Sequence, residues 1–289
     1  MNKLKILITG GNGNIAKIIK NNLFTDYNIF SPFHEELDLL DQNNLKDYIN
    51  KINPDIVIHT AITGGRRTKN DDYDVFYKNI LMFENLIYCS KNVKMIINLD
   101  SGAIYNRSTD IMNRKETDIF TVPVDFYGFS KYIIYKQSLL CDNVYNFRIF
   151  NLFHMNEEND RFIKACFNAK KNNSELLIND DKYFDFFYED DFIKVLKYYI
   201  DNFDKNNFNK NNLEKTINIC YKQKYKLSEI AQLIESIGEY KKINIKIINS
   251  SSNYNYCGDS TLLYKLKKDK FEIDELEKSL LNYYNKLVI

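Results

Sequence analysis

The run Leu4-Lys5-Ile6-Leu7-Ile8-Thr9-Gly10-Gly11-Asn12-Gly13-Asn14-Ile15-Ala16 constrains this chain more than any other stretch. Apolar residues from Leu4 to Ile8 lead directly into Gly10, Gly11 and Gly13. Ile15, Ile18, Ile19 and Leu23 then recur on one helical face. The pattern predicts a buried strand, a tight turn and a helix. Such a turn aims backbone N–H groups and the positive helix end at one spot, which suits a pyrophosphate. Gly10 permits the sharp turn, Gly13 lets the backbone approach phosphates, and small Ala16 lets helix and strand pack closely. Thr9, Gly10, Gly13, Asn14 and Ile15 are therefore the candidate phosphate-side residues. An ordinary glycine-rich strand–helix turn has the same look, but this context favours dinucleotide binding.

The chain has 289 residues, enough for one large domain or a domain plus a lobe. A net charge of +1 gives no reason to expect nucleic acid or a membrane surface as partner. No apolar run reaches spanning length, and Met1-Asn2-Lys3 leads into a strand rather than a signal sequence. Cys89, Cys141, Cys166, Cys220 and Cys257 lack paired spacing. They read as reduced thiols of a cytoplasmic protein, not as a disulfide frame or a zinc site. His34, His59 and His154 form no metal motif, so no metal is expected.

Tyr27-Asn28-Ile29-Phe30 reads as the second strand. An acid at its end would meet the adenine ribose of NAD; Ser31 stands there instead, which favours NADP(H) over the alternative NAD(H). Leu37-Asp38-Leu39-Leu40-Asp41 offers an adenine edge, with Asp38 as acceptor; Asp38 as a helix N-terminal acid fits equally well. Pro54 to Ala61 is another buried strand that ends in small residues beside the expected cofactor. Gly64-Gly65-Arg66-Arg67 follows as a loop whose cations suit substrate phosphates, or simply face solvent. Met95 to Leu99 delivers Asp100-Ser101-Gly102-Ala103.

Tyr127 and Lys131 are four residues apart, on one face of a predicted helix. A nearby ammonium favours phenolate and lowers a tyrosine's pKa from about 10. A tyrosine so tuned gives or takes a proton at a sugar hydroxyl or ketone, and Ser101 can hold the same oxygen. Asn151 closes a further strand and is either a substrate ligand or a turn residue. Beyond it the strand–helix alternation loosens. The expected organisation is an α/β Rossmann domain over 1–150, a doubly wound parallel sheet. A smaller C-terminal lobe over 151–289, partly interleaved with it, holds substrate.

These residues, with Tyr105, Arg148-Ile149-Phe150-Asn151 and Asp185-Phe186-Phe187-Tyr188, resemble the extended short-chain dehydrogenase/reductase (NAD-dependent epimerase/dehydratase) family. Glu35 to Asp41 and the Gly64-Gly65 loop look most like its GDP-fucose synthase-like 4-keto reductases. The resemblance implies Ser101, Tyr127 and Lys131 as catalytic trio, Lys131 on the nicotinamide ribose, a nucleotide-sugar substrate and a homodimer. It also implies Gly65, Arg66, Ala103, Asn151 and Arg161 on the substrate side. Two departures matter. Ala103 stands where epimerising members carry a cysteine, and Arg161 falls where they carry a histidine. Phe184 replaces the arginine that grips the diphosphate in many relatives. The expected activity is NADPH-dependent reduction of a nucleotide-linked 4-keto sugar at C4, without epimerisation at C3 or C5. A nucleotide-sugar 4-epimerase with bound NAD and a non-catalytic dinucleotide sensor are the alternatives.

Overall fold

The computed structural model describes residues 3–66, 70–202, 213–248, 254–268 and 270–288. Arg67 therefore lies outside the described residues. In chain order the elements begin β1 (Lys5–Thr9), α1 (Asn14–Leu23), β2 (Asn28–Phe30), α2 (Gln42–Ile52), β3 (Ile56–His59), α3 (Tyr73–Cys89) and β4 (Met95–Ser101). They continue with β5 (Ile111–Arg114), α4 (Phe126–Ser138), β6 (Val144–Ile149), β7 (Leu152–Phe153), α5 (Phe162–Asn172), β8 (Glu175–Ile178) and β9 (Phe187–Tyr188). The last are α6 (Glu189–Asp201), β10 (Thr216–Ile219), α7 (Leu227–Glu235), β11 (Asn244–Ile247), β12 (Tyr256–Gly258), α8 (Thr261–Lys267) and α9 (Leu276–Val288).

The central sheet has six strands in the order β2-β1-β3-β4-β6-β10. β1 pairs in parallel with β2 on one side and β3 on the other, and β3 pairs in parallel with β4. Ile6, Leu7, Ile8, Ile56, Val57 and Ile58 are fully buried, as expected where helices cover both faces of a parallel sheet. From β1 the chain steps to β2, then crosses to the opposite side for β3 and β4. The winding therefore reverses between β1 and β3. In open α/β sheets ligands bind outside the strand ends at this reversal. This is the doubly wound Rossmann architecture anticipated from the sequence.

Two compact units share the chain. One comprises Met1–Asn106, Ile119–Arg148 and Leu196–Ile217. The other comprises Arg107–Asp118, Ile149–Val195 and Asn218–Ile289. In the first, the buried ring of Tyr199 packs edge-on against Phe147 at 4.7 Å between centroids. In the second, β8 pairs with β11, β5 with β12 and β7 with β9. Phe153, Tyr188 and Tyr283 form its aromatic centre, with Phe167 against Tyr283. Asp185 is fixed there by both carboxylate oxygens, which accept from Lys224 Nζ at 2.9 Å, and by the Gly258 N–H at 2.8 Å.

Side chains set where the helices begin. Asp41, Asp72 and Asp125 cap α2, α3 and α4 through bonds to first-turn N–H groups. Asp41, not Asp38, is thus the acid at the start of α2. Asp38 instead folds back to accept from the Leu40 N–H at 2.9 Å. That corrects the helix-terminal reading of Asp38.

A polar knot joins β1 to β3. Thr9 Oγ1 accepts from the N–H groups of Thr60 at 3.2 Å and Ala61 at 3.4 Å. Its own hydrogen then goes to His59 Nδ1 at 2.9 Å, which assigns the neutral imidazole its proton on Nε2. His59 is buried, and burial together with Lys131 pushes its pKa down to about 3. The unfolded chain titrates this group nearer 6.5, so it binds more protons than the native state at intermediate pH. The imidazole's contribution is thus retained above about pH 6.5 and lost as pH falls towards 3. Denaturant unfolding between pH 6 and pH 4 should show the wild type losing up to about 1.4 kcal/mol per pH unit more than His59→Asn. Parallel stability curves for the two proteins would refute the assignment.

Candidate active site

The glycine turn is shaped by steric necessity. Gly10 has φ of 72°, and a Cβ there would lie 2.8 Å from the Ala61 Cα. Only glycine allows this approach of the β1 and β3 ends. Gly13 is the N-cap of α1, and no side chain caps that helix, unlike α2, α3 and α4. Asn14 and Ile15 open α1. The Gly11 N–H donates to the Pro32 carbonyl at 3.1 Å, which ties the end of β2 to the turn. Beside it the Ser31 hydroxyl is buried without a hydrogen-bond partner. A side-chain-free helix N-terminus and an unsatisfied hydroxyl at the neighbouring strand end suit the phosphates and ribose of a dinucleotide. Leu39 is buried in the core, and its carbonyl accepts from Asn85 Nδ2 at 2.9 Å. Of Asp38 and Leu39, Asp38 is the more accessible.

β4 and α4 carry the candidate reactive groups. Ser101 ends β4, and its hydroxyl accepts from the Ala103 N–H at 3.2 Å, opening a single 3₁₀ turn, Gly102–Tyr105. α4 docks on this turn: a Cβ at Gly128 would lie 3.0 Å from the Ala103 carbonyl. Lys131 is buried, and its ammonium donates to the Leu99 carbonyl at 2.7 Å, two residues before Ser101. Burial lowers its pKa to about 8, with Asp100 opposing the shift. Tyr127 is half-buried, one helical turn before Lys131. Gly65 presses against its ring, since a Cβ there would lie 2.7 Å from Cε2 and 2.8 Å from Cζ. The Gly65 N–H is held by both oxygens of Asp71 at 3.1 Å. The structure thus gathers Ser101, Ala103, Tyr127, Lys131 and Gly65, with exposed Arg66 next in the loop.

In the other unit, Arg161 donates to the Asn151 side-chain oxygen at 2.6 Å, so these two candidates form one polar pair. Phe184 packs against Phe186 and Tyr256, with centroids 5.1 and 5.2 Å apart. It is partly buried among these rings.

Sequence reasoning passed over the role of Asp100. Its carboxylate accepts from Arg148 Nε at 2.8 Å, with both side chains fully buried. Arg148 Nη1 donates to the Tyr105 hydroxyl at 2.6 Å, and the guanidinium lies over the rings of Tyr105 and Tyr135. Burial opposes the arginine's charge, but Asp100 and Tyr105 outweigh it and raise its pKa. This network locks the backbone on both sides of Ser101. Adjacency of Asp100 to Ser101 was the only signal in the sequence.

A Rossmann sheet with a glycine turn at the winding reversal, followed by Ser101 and a Tyr127/Lys131 helix, defines a dinucleotide-dependent α/β protein. The chain belongs to the NAD dependent epimerase/dehydratase family, whose model matches residues 6–220. It is 26% identical over 264 residues to GDP-L-colitose synthase of Yersinia pseudotuberculosis, covering 82% of this chain and 83% of that protein. In fold it is similar to dTDP-4-dehydrorhamnose reductase of Bacillus anthracis str. Ames, crystallised with NADP: TM-score 0.81, 18% identity, 99% of each chain covered. It is also similar to a GDP-mannoheptose C4 reductase of Campylobacter jejuni with NADP bound: TM-score 0.80, 20% identity, 100% of this chain and 99% of that one covered.

Breaking the buried pair on one side only would strand a charge. Asp100→Asn is expected to lower unfolding free energy by about 3–5 kcal/mol. The double replacement Asp100→Leu with Arg148→Met should cost markedly less. Denaturant titration of both variants checks this, and a single-variant loss below about 1 kcal/mol would contradict it.

Proposed function

We propose that this protein is an NADPH-dependent reductase of the C4 ketone of a nucleotide-linked 4-keto (or 4-keto-6-deoxy) sugar, and that it does not epimerise C3 or C5. The carrying observation is the docking of α4 on the turn after Ser101, through Gly128 against Ala103 and Lys131 on Leu99. Thr9, Gly10, Gly13, Asn14, Ile15, Ser31, Asp38, Leu39, Ala61, Tyr127 and Lys131 are the residues assigned to the dinucleotide. When bound, it supplies the hydride for C4. Tyr127 gives its phenolic proton to the carbonyl oxygen, and Ser101 donates a hydrogen bond to the same atom. Lys131 favours the phenolate left behind and holds the nicotinamide ribose. The NADP bound in the two similar reductase structures, and Ser31 in place of an acid, support NADP(H) over NAD(H). The same serine weighs against a 4-epimerase that keeps NAD. A sensor would need the glycine turn but not the trio.

The names of the three similar proteins support a nucleotide-sugar substrate. Gly65, Arg66, Ala103, Asn151 and Arg161 are its proposed ligands. Ala103 has no group that moves a proton, and Arg161 is a cation already bonded to Asn151. Asp160 and His154 remain as candidate bases; burial, with Arg161 and Lys164 nearby, pushes the His154 pKa down to about 4. We also propose a homodimer through α3 and α4, whose aromatic face carries Tyr73, Tyr77 and Phe126, 60%, 50% and 42% exposed. No described helix is long and apolar enough to cross a membrane. A cytoplasmic setting is proposed on the five cysteines, all free thiols.

Turnover should be assayed with GDP- and dTDP-linked 4-keto-6-deoxyhexoses, with NADPH the better donor. Tyr127→Phe should cut kcat by at least about 100-fold while the protein stays folded. Near-normal turnover of that variant would remove Tyr127 from the mechanism. In deuterated water, mass and NMR analysis of the product should find no solvent deuterium at C3 or C5 above a no-enzyme control. Deuterium at either carbon would reveal an epimerising base, with Asp160 and His154 the first residues to replace.

A further inference from the structure

We infer that Glu157 is a positioning residue: its inward-turned carboxyl anchors the turn that carries Arg161, and so holds Arg161 where substrate meets it. The inference rests on the proposed reading of Arg161 and Asn151 as substrate ligands. The segment from His154 to Arg161 has no helix or strand of its own. Two tight turns shape it, with the Glu157 N–H on the His154 carbonyl at 3.2 Å and the Arg161 N–H on the Glu158 carbonyl at 3.1 Å. Side chains pin its backbone. Glu189 accepts from the Met155 N–H at 3.1 Å, and Lys164 donates to the carbonyls of Glu157 at 2.7 Å and Met155 at 3.4 Å. Arg161 closes the segment, as the N-cap of α5 and the donor to Asn151.

Glu158 and Asp160 in this segment are exposed, but Glu157 is buried. Its carboxyl lies within electrostatic reach of buried Glu189 on α6, and both carboxyls act on the hydroxyl of Tyr283 on α9. Tyr188 of β9 joins the group, its ring centroid 6.2 Å from that of Tyr283. Glu157 Oε1 and the hydroxyls of Tyr188 and Tyr283 are buried without hydrogen-bond partners. A carboxylate is costly in such a place, and a second one beside it adds repulsion. Burial, with Glu189 adding to it, pushes the Glu157 pKa up to about 7, although Arg161 and Lys164 pull the other way. Of the other groups here, His154 is pushed down to about 4, both phenols are raised by burial, and so is Glu189, which Lys286 faces. When neutral, Glu157 can donate a hydrogen bond within this group and keep the turn tucked in. When ionised, it repels Glu189, which holds Met155, and draws on Arg161, which is bonded to Asn151. Both pulls act on the same short segment. A role confined to filling the interior would alter stability and leave substrate affinity independent of pH.

The test compares the wild type, Glu157→Gln and Glu189→Gln between pH 6 and pH 8 at constant ionic strength. Glu189→Gln keeps the inference testable should Glu157→Gln fail to fold. The assay follows NADPH oxidation with whichever GDP- or dTDP-linked 4-keto-6-deoxyhexose the wild type reduces, and gives kcat and the sugar-nucleotide KM. Wild-type KM is expected to rise by up to about ten-fold, because the neutral fraction of a group with a pKa of about 7 falls about ten-fold over that interval. Glu157→Gln keeps a neutral, hydrogen-bonding side chain, so its KM should stay within about two-fold across the range. Glu189→Gln removes the repelling charge, so its KM should begin to rise at lower pH than in the wild type. Lys131, with a pKa of about 8, also titrates here, so kcat is read separately and its pH dependence should match in all three proteins. Thermal melting supplies a readout without substrate. The native state keeps a proton that the unfolded chain releases above about pH 4.5, so wild-type stability should fall from there to about pH 7 relative to Glu157→Gln. A flat wild-type KM, an equal rise in Glu157→Gln, or parallel melting curves would overturn the inference and leave the reductase reading in place. A wild type that reduces none of these nucleotide sugars would instead identify the reading of function as the failure, and the inference would fall with it.

Discussion

The ends of β1 and β3 touch, backbone to backbone, because Gly10 carries no side chain. With a Cβ 2.8 Å from the Ala61 Cα, the strands would have to part or the turn re-form. The contact sits where the sheet reverses its winding. Separating these strands would dissolve the concavity that a phosphate-binding turn requires. The Thr9 hydroxyl seals the contact by accepting from Thr60 and Ala61 and donating to His59. Steric absence and hydrogen bonding thus act on the same few atoms. The loop leaving Ala61 carries Thr63 and Gly65, so the crossing also sets the origin of the segment lying against Tyr127.

The candidate reactive face is built from charges that water would otherwise stabilise. Lys131 is nearly inaccessible, and the Leu99 carbonyl is a dipole rather than a counter-ion. One dipole offsets only part of the desolvation cost, so the ammonium's pKa settles near 8 instead of near 10. Arg148 is buried as deeply but has a full carboxylate and a phenol, and its pKa moves the other way. Asp100 acts on both cations. It is bonded to Arg148 and exerts a longer-range pull on Lys131. The residue beside Ser101 therefore governs the local field without being a plausible reactant itself.

What could be read from the chain beforehand followed locality. The glycine turn, the parallel strands and the four-residue spacing of Tyr127 and Lys131 are short-range patterns, set by strand and helix periodicity. The family-specific placement of Ser101 came from resemblance, not from spacing. The contacts left illegible join residues far apart in sequence. Thr9 to His59 spans 50 residues, Asp100 to Arg148 spans 48 and Asn79 to Ser130 spans 51. No period connects such residues, because only the sheet order brings them together. Asp38 shows a subtler limit. Two acids three residues apart both suit a helix start, and the fold of the preceding turn decides that Asp41 caps α2.

The division of the chain into interleaved units bears on the order of biosynthesis. The unit that carries the glycine turn takes its final segment from Leu196–Ile217, well after the other unit's Ile149–Val195. Tyr199, which packs on Phe147, and Asp201, which accepts from the Tyr27 hydroxyl, both belong to that late segment. A ribosome that has released only the first 150 residues has produced the glycine turn, Ser101, Tyr127 and Lys131. It has not yet produced the strand β10 that closes the sheet against β6. Every residue of the proposed chemistry therefore waits, during synthesis, on side chains that play no part in it. Neither half of such a chain is an independent cassette, and exchange of parts with other proteins would have to respect five crossings rather than one linker.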